Sequence, residues 1–548
     1  MEENMTEKAG LDIETREMIL DTIRSVHKEL LSRDKILKLD ESEEFPLDII
    51  KELLSERVGL QMVFIPEEYG GLGGGVVDTF HVSTELAKIC LGVSTAFLAI
   101  HLGVEPILLS GTEEQKKKWL GKIVDKGAIV AYAVTESEAG SNLEAIKTKA
   151  EPIKDESGKI SWYKLNGSKQ FISNGGFAEF FSVLAKAPEE PTFFIVEGNS
   201  KGFVRGEHEH KHGIRSANTA ALTFENVMVP AENIIGGVPG NGMKQANEVF
   251  AYTRLMVAAF GLGAGLSAIE KSIKFAKERV QFGSPLIEKQ GYSHKLIVPH
   301  IVRLGAARMY IEEIASRIDS GDTDIMVEGS IAKYFATEIG NAAAESAIQA
   351  HGGYGYMREY EVEKIKRDVR VTTIYEGTSE IQQNIIYLFR WRTTVRSKGQ
   401  YYNNLAREME DIAGKVKDIN AKIIGDSLNI LNDLIMFAHK QRLTRQQHIQ
   451  FLLSDIITYT EVAAAFVRKV ANLIEHGNLD AGKLSAMLRI FISEVAQIVI
   501  SKGLIIVQGC ETVEEEAKSK FFEKIMNSSL TKASQNVVSD MDKVVKTL

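Results

Sequence analysis

The apolar residues of this chain change period along its length, and that change limits the folds open to it. From about residue 11 to 130 they recur at three- and four-residue steps, with Ile19, Leu20, Ile23, Val26 and Leu30 marking one face of a helix. From about 131 to 240 the helical step is lost. Thr192-Phe193-Phe194-Ile195-Val196 is a short β-type run, and Leu222 and Phe224 alternate with Thr223 and Glu225, the period of a half-buried strand. Asn166-Gly167 and Gly175-Gly176 are turn punctuation. No helical pattern of ten or more residues separates these strands, so an antiparallel sheet or barrel is expected over a βαβ layout. The helical step returns from about 241 to 395. It continues from about 400 to 548, where Ile456, Ile457, Ala463, Phe466, Val467, Val470, Leu473 and Ile474 form one stripe. Arg396-Ser397-Lys398-Gly399-Gln400 reads as the linker between the last two blocks.

The 548 residues are enough for three to four domains of ordinary size. Lys and Arg total 65 against 74 Asp and Glu, a net charge of −9 that argues against a nucleic-acid partner. Cys90 and Cys510 imply neither a disulfide framework nor a zinc ribbon. The first residues are acidic and polar, unlike a secretory or organellar presequence, and Lys546-Thr547-Leu548 is not a peroxisomal ending. The apolar run Leu255–Ile269 is short and rich in Gly and Ala, which suits a helix packed close to others better than a membrane span. A cytoplasmic location is the expectation.

Several segments could carry chemistry. The glycine loop at 69–75 does not fit G-x-G-x-x-G. Gln349-Ala350-His351-Gly352-Gly353-Tyr354 breaks a helical region, either as a tight turn or where backbone approaches a ligand closely. Ser379 and Gln382 fit a capping box. That leaves Glu376 unexplained, between Tyr375 and Gly377. A carboxylate shielded there by Tyr375 could be raised toward neutrality and serve as a general base. Hydroxyls and backbone N–H groups gather around Gly140 in Tyr132–Asn142, as a ligand wall or as a capped loop. Arg279 could meet a phosphate or cap a helix dipole. His208, His210 and His212 alternate, so zinc is conceivable on a strand, but a solvated loop is the plainer account and no metal is assigned. No nucleophile elbow of the G-x-S-x-G type is present.

Taken in order, five segments resemble the acyl-CoA dehydrogenase family. They are Y-A-V-T-E-S-E-A-G-S at 132–141; Asn166-Gly167-Ser168-Lys169 with Phe171-Ile172-Ser173-Asn174; Lys211-His212-Gly213-Ile214-Arg215 with Val227-Met228-Val229-Pro230; R-V-Q-F-G-S-P-L from Arg279; and Gln349 to Gln382. The similarity covers about residues 15–395. It implies an α+β, mostly α fold: an N-terminal helical domain (1–130), a central antiparallel β-barrel domain (131–240) and a four-helix-bundle domain (241–395), followed here by an additional C-terminal helical domain (400–548).

The resemblance also implies roles. Glu376 matches the base that takes a proton from the carbon α to a thioester, while a hydride leaves the β carbon for FAD, giving a trans-2-enoyl-CoA. The enolate oxygen is held by a flavin hydroxyl and the backbone N–H of Glu376. Thr135, Ser141, Phe171 and Ser173 match residues around the flavin ring and pyrophosphate. Thr378 and Glu380 match flavin-side positions. Ser141, Arg254 and Gly377 match substrate-side positions. Arg279, Gln281, Phe282, Gln349 and Gly353 match the set that holds the adenosine half of FAD across a subunit interface, so a homo-oligomer is implied. Ser137, Asn142 and Phe171 replace a frequent Pro, Asp and Trp without removing a chemical function. Thr253 stands where some relatives place the base and cannot act as one, which strengthens Glu376.

The last 150 or so residues resemble the extra helical domain of very-long-chain members. That implies a long-chain acyl-CoA substrate, fatty acid β-oxidation, a dimer in place of a tetramer and possible peripheral membrane contact. Arg489, Glu494 and Lys502 interrupt the apolar stretch Met487–Val507, which favours a surface contact over insertion. Small residues, Ala99 and Gly103, are expected to leave room for a long acyl tail. The expected electron acceptor is an electron-transfer flavoprotein. The alternatives are an oxygen-reoxidised acyl-CoA oxidase and a non-catalytic assembly relative.

Overall fold

The computed structural model describes residues 10–511 and 513–548. The chain divides into two compact units. The first holds the residues up to 264 with 315–323 and 363–372; the second holds 265–314, 324–362 and 373–548.

The first unit opens with six helices: α1 (Ile13–Leu30), α2 (Arg33–Ser42), α3 (Leu47–Leu53), α4 (Val76–Ile89), α5 (Leu91–Ser110) and α6 (Glu113–Lys126). Their starts are written locally. Asp12 accepts from Thr15 N, Ser32 from Lys35 N, and Thr112 with Gln115 forms a reciprocal capping box. α5 is buried along most of its length because α4, α6 and the first strand surround it.

Seven strands follow: β1 (Val130–Ala133), β2 (Lys149–Lys154), β3 (Ile160–Ser173), β4 (Phe180–Lys186), β5 (Pro191–Glu197), β6 (Phe203–His208) and β7 (Thr219–Pro230). They make one curled sheet in the order β1-β4-β2-β3-β7-β6, with β5 added to β4. Pairing is mainly antiparallel, as expected. β1 departs from this: it enters from the helical block rather than from a hairpin and runs parallel to β4, with Val130 opposite Phe180. β4 and β5 are covered on both faces, so they read as unbroken apolar runs and not as alternation.

α7 (Gly242–Glu278) begins in the first unit and ends in the second. The second unit continues with a two-strand hairpin, β8 (Val280–Gln281) and β9 (Ser284–Pro285). It then holds α8 (Gln290–Leu296), the first part of α9 (Val298–Asp319), α10 (Met326–His351), the start of α11 (Glu361–Val369) and α12 (Ser379–Arg396). Glycine sets the spacing: a Cβ on Gly265 would lie 2.7 Å from Leu304 and 3.0 Å from Gly340, so α7 packs hard against α9 and α10.

The C-terminal block is α13 (Gln400–Lys415), α14 (Ala421–Lys440), α15 (Gln447–Glu475), α16 (Ala481–Gln508), α17 (Glu515–Asn527) and α18 (Val537–Lys546). Residues 396–400 are a tight turn, not a loose linker. Gly399 has φ +85° and sits so close to Asn432 of α14 that a Cβ would be 2.9 Å from its amide. The charges of α16 are also used internally. Arg489 pairs with Asp540 of α18, Glu494 with Arg303 of α9 and Lys502 with Asp455 of α15, at 2.7, 2.9 and 2.8 Å.

Among the described residues four helices (Leu91–Ser110, Gly242–Glu278, Gln447–Glu475 and Ala481–Gln508) are long and apolar enough to cross a membrane by length and composition. The short run at 255–269 is therefore part of a much longer apolar helix. In the first three, about four-fifths of the most apolar window is buried inside the protein; in α16 the share is 56%.

Candidate functional site

The first unit carries the 132–141 segment and the Phe171 strand. Lys169 of β3 reaches back through the sheet: its Nζ donates to Val134 O at 3.0 Å and to Glu136 Oε1 at 2.7 Å. The Glu136 carboxylate also accepts from Lys147 N and Thr148 N. Burial pushes the Lys169 amino group down to about 8, against the raising pull of Glu136. Burial alone would raise Glu136, but Lys169 and the N–H donors hold it below the ordinary carboxylate range. This clamp fixes the loop, and Gln170 N donates to Thr135 O at 2.9 Å, setting Thr135 beside Phe171.

Between Lys169 and Ile172 the register of β3 against β7 shifts. Such a bulge re-aims a side chain. Phe171 takes φ +59° and stands 63% exposed, with Ser173 half-buried beyond it. Ser141 and Gly140 are exposed, and a Cβ on Gly140 would meet nothing within 4 Å. Thr253 and Arg254 are buried on α7. Gly103 does not provide acyl space: a Cβ there would lie 2.9 Å from Ala131 N and from Val130, so its missing side chain is filled by β1. β6 ends at His208, so the alternation does not extend to His210 and His212. His208 faces Lys211 and Asn218 while His210 pairs with Glu43. Among the described residues no group of three His, Cys, Asp or Glu could hold a metal ion.

The second unit gathers two sequence segments some seventy residues apart. Phe275 of α7 stacks on His351 at 4.6 Å and meets Tyr354 edge-on at 5.9 Å, and the Arg279 guanidinium lies 5.7 Å over Tyr354. The β8–β9 hairpin is thereby set beside the end of α10. Arg279, Gln281, Phe282, Gln349 and Gly353 are all exposed there, Phe282 at 98%. Gly283, Gly352 and Gly353 have open space where a Cβ would stand. Exposed aromatic and hydrogen-bonding side chains next to bare backbone suit a flat, phosphate-linked ligand. The residues present therefore fit FAD.

The Glu376 loop also lies in the second unit, half-buried. Glu376 has φ +55° and Gly377 φ +89°. Their carbonyls are tied down: Gln382 Nε2 donates to Glu376 O at 3.0 Å and to Gly377 O at 3.2 Å, and Lys333 Nζ donates to Gly377 O at 2.7 Å. This corrects the capping-box expectation. Thr378, not Ser379, is the N-cap, its hydroxyl accepting from Ile381 N. Ser379 instead donates to Glu338 of α10. Gln382 is unavailable as a box partner because the two inverted peptides need its amide. Glu380 is exposed in the first turn of α12. Lys333 is not singled out by the sequence, where a lone lysine in an apolar helix is the available signal; Lys169 and Glu136 enter there only as members of the segments that carry the resemblance, with no role given to them.

Comparison with known proteins agrees with this layout. The acyl-CoA dehydrogenase N-terminal domain family matches residues 13–127 and the middle domain family matches 131–227. The C-terminal domain family matches twice, at 240–388 and again at 423–530, so the last block is similar to the same family domain as the bundle. An acyl-CoA dehydrogenase of Bacillus subtilis is 39% identical over 378 residues, covering 68% of this chain and 95% of that protein. A subunit of the caffeyl-CoA reductase–Etf complex of Acetobacterium woodii is 35% identical, covering 68% and 97%. A solved acyl-CoA dehydrogenase of Bacillus anthracis, complexed with FAD, shares the fold over 98% of this chain and 95% of its own, with TM-score 0.84 and 24% identity. The chain belongs to the acyl-CoA dehydrogenase family of FAD-dependent oxidoreductases.

Proposed function

We propose that the protein removes the α and β hydrogens of a long-chain acyl-CoA to give a trans-2-enoyl-CoA. Electrons then pass to an electron-transfer flavoprotein, in fatty acid β-oxidation. The observation that carries this reading is Glu376 in its left-handed loop, with the carbonyls of Glu376 and Gly377 held by Lys333 and Gln382. Glu376 takes the α proton. An α C–H of a thioester is a weak acid, so the enolate oxygen must be held as charge develops, and the Glu376 N–H is the donor this chain supplies. FAD, when bound, accepts the β hydride. By the resemblance, Thr135, Ser141, Phe171 and Ser173 would hold the flavin ring and pyrophosphate, Thr378 and Glu380 are further flavin-side positions, and Ser141, Arg254 and Gly377 are substrate-side positions. Arg279, Gln281, Phe282, Gln349 and Gly353 hold the adenosine half.

Likeness over the whole length to the Bacillus anthracis protein supports the subgroup with an added helical block. The second bundle-like block packs on the first within one unit, which supports a dimer over a tetramer. A cytoplasmic location with peripheral membrane contact through this block completes the reading; exposed Phe522 and Met526 on α17 are the support for the contact, while Lys518, Lys520 and Lys524 are paired with Glu515, Glu516 and Asp433. The Acetobacterium relative belongs to a complex with Etf in its name, which supports the acceptor; its reductase name makes enoyl-CoA reduction the second reading.

The test is anaerobic titration of the yellow protein with acyl-CoAs of graded length. Bleaching greatest with long chains, reversed by electron-transfer flavoprotein, is the expected result. Peroxide formed at the turnover rate would make it an oxidase; absence of FAD, an assembly protein; turnover only from enoyl-CoA, a reductase.

A further inference from the structure

Two consecutive left-handed residues, Glu376 and Gly377, invert the peptide planes next to the carboxylate. Gly377 tolerates this conformation; for a glutamate it is strained and persists only where the surroundings over-determine it. The surroundings here are two side chains from different helices. Gln382 of α12 donates to both carbonyls, and Lys333 of α10 places its Nζ 2.7 Å from Gly377 O. Lys333 is 0% exposed. Burying a lysine amino group is costly, and a backbone carbonyl one residue from the base is an unusual place to aim it. A Cβ on Gly377 would lie 2.6 Å from the Gln382 amide and would displace it from these carbonyls.

We propose that Lys333, together with Gln382, is a positioning residue for the reaction: the two donors lock the Glu376 and Gly377 carbonyls, and with them the loop, so that the carboxylate and its own N–H address the same substrate carbon and oxygen. This rests on Glu376 being the base. Lys333 touches neither substrate nor flavin in this account and acts through its hydrogen bond to the loop. Its removal therefore slows the proton transfer while leaving ligand binding largely intact, because misplacement near an ångström is worth up to about 100-fold in rate.

The experiment uses the FAD-loaded full chain as wild type, Lys333→Met, Lys333→Arg, Gln382→Met and Glu376→Gln. It measures kcat, KM, binding of an enoyl-CoA by its effect on the flavin spectrum, and amide hydrogen exchange of residues 374–378. For Lys333→Met the expected result is a fall in kcat of about 30- to 100-fold, enoyl-CoA affinity within about threefold of wild type, faster exchange confined to that loop, and partial recovery in Lys333→Arg. Wild-type kcat and loop exchange in Lys333→Met would overturn the proposal. So would a uniform loss in which affinity, melting temperature and exchange across α10 and α12 all change together. If Lys333→Met does not fold, Gln382→Met, which frees the Glu376 carbonyl and leaves Gly377 O to Lys333 alone, decides by the same measures. A wild type that is never bleached by any acyl-CoA would instead remove the base assignment, and the exchange data would still report whether Lys333 holds the loop.

Discussion

The Lys169 amino group lies 2.7 Å from the Glu136 carboxylate, and both are almost sealed from water. Removing one partner leaves a buried charge without compensation. Lys169→Met is expected to cost about 3–5 kcal/mol in unfolding experiments, and Lys169→Met with Glu136→Leu markedly less. Because the pair fixes the loop beside Phe171, Lys169→Met should also weaken FAD binding about tenfold, measured by titrating apoprotein with FAD and following flavin fluorescence.

Glu376→Gln keeps the shape of the side chain and removes its basicity. It should lower the rate of flavin bleaching by about 100- to 10,000-fold while acyl-CoA still binds. Stopped-flow absorbance on the anaerobic enzyme measures this; bleaching within a few-fold of wild type would assign the base elsewhere.

A pH effect on stability should come from α5. His101 Nε2 lies 3.2 Å from Glu105 Oε2. Burial pushes Glu105 up to about 8 from 4.5 and His101 down to about 4 from 6.5. Between about 4 and 8 the folded pair therefore holds one proton. The unfolded chain holds one between 4.5 and 6.5, and none above 6.5. The pair's contribution is flat across the middle window and falls as pH rises from 6.5 toward 8, because the folded state then binds more protons than the unfolded one. The loss is about 2 kcal/mol. Glu105→Gln should abolish that decline, as read from unfolding midpoints across the same pH range.

The two bundle-like blocks are joined through a buried ion pair. Arg390 of α12 makes two hydrogen bonds to Glu461 of α15, at 2.7 and 2.8 Å, and one to Glu328 at 3.1 Å; Tyr402 OH also donates to Glu461. Arg390→Met removes the cation shared by two buried carboxylates and should cost about 3–5 kcal/mol. A lowered thermal midpoint, with release of the C-terminal block to limited proteolysis, is the expected outcome.

Much of this fold was readable from residue spacing. The helical stripes at 19–30 and 456–474 and the alternation at 222–225 lie in the elements they suggested. Glu376 stood out because no local structural rule explained it. What spacing could not show was long-range. Lys333 and Gly377 are 44 residues apart and meet only in the folded chain, as do Lys169 and Glu136. Gln382 looked like a cap because the capping pattern is local, whereas the demand of two inverted peptides is not. Gly103 looked like open space because a sequence does not say which strand fills it. The second match to the bundle's family domain escaped because its spacing from the first exceeds any short repeat.

The second bundle-like block has a consequence for concentration and for change. A contact between separate subunits weakens on dilution, whereas this one is tethered and keeps a fixed effective concentration however scarce the protein is. In a symmetric oligomer every substitution appears on both sides of a shared face, so each must suit its own image. Here Arg303 and Glu494, or Glu313 and Arg468, are encoded at separate positions of one gene product and can be altered one at a time. The tethered block is thereby free to lose every chemical residue and keep only the surface that its neighbour requires.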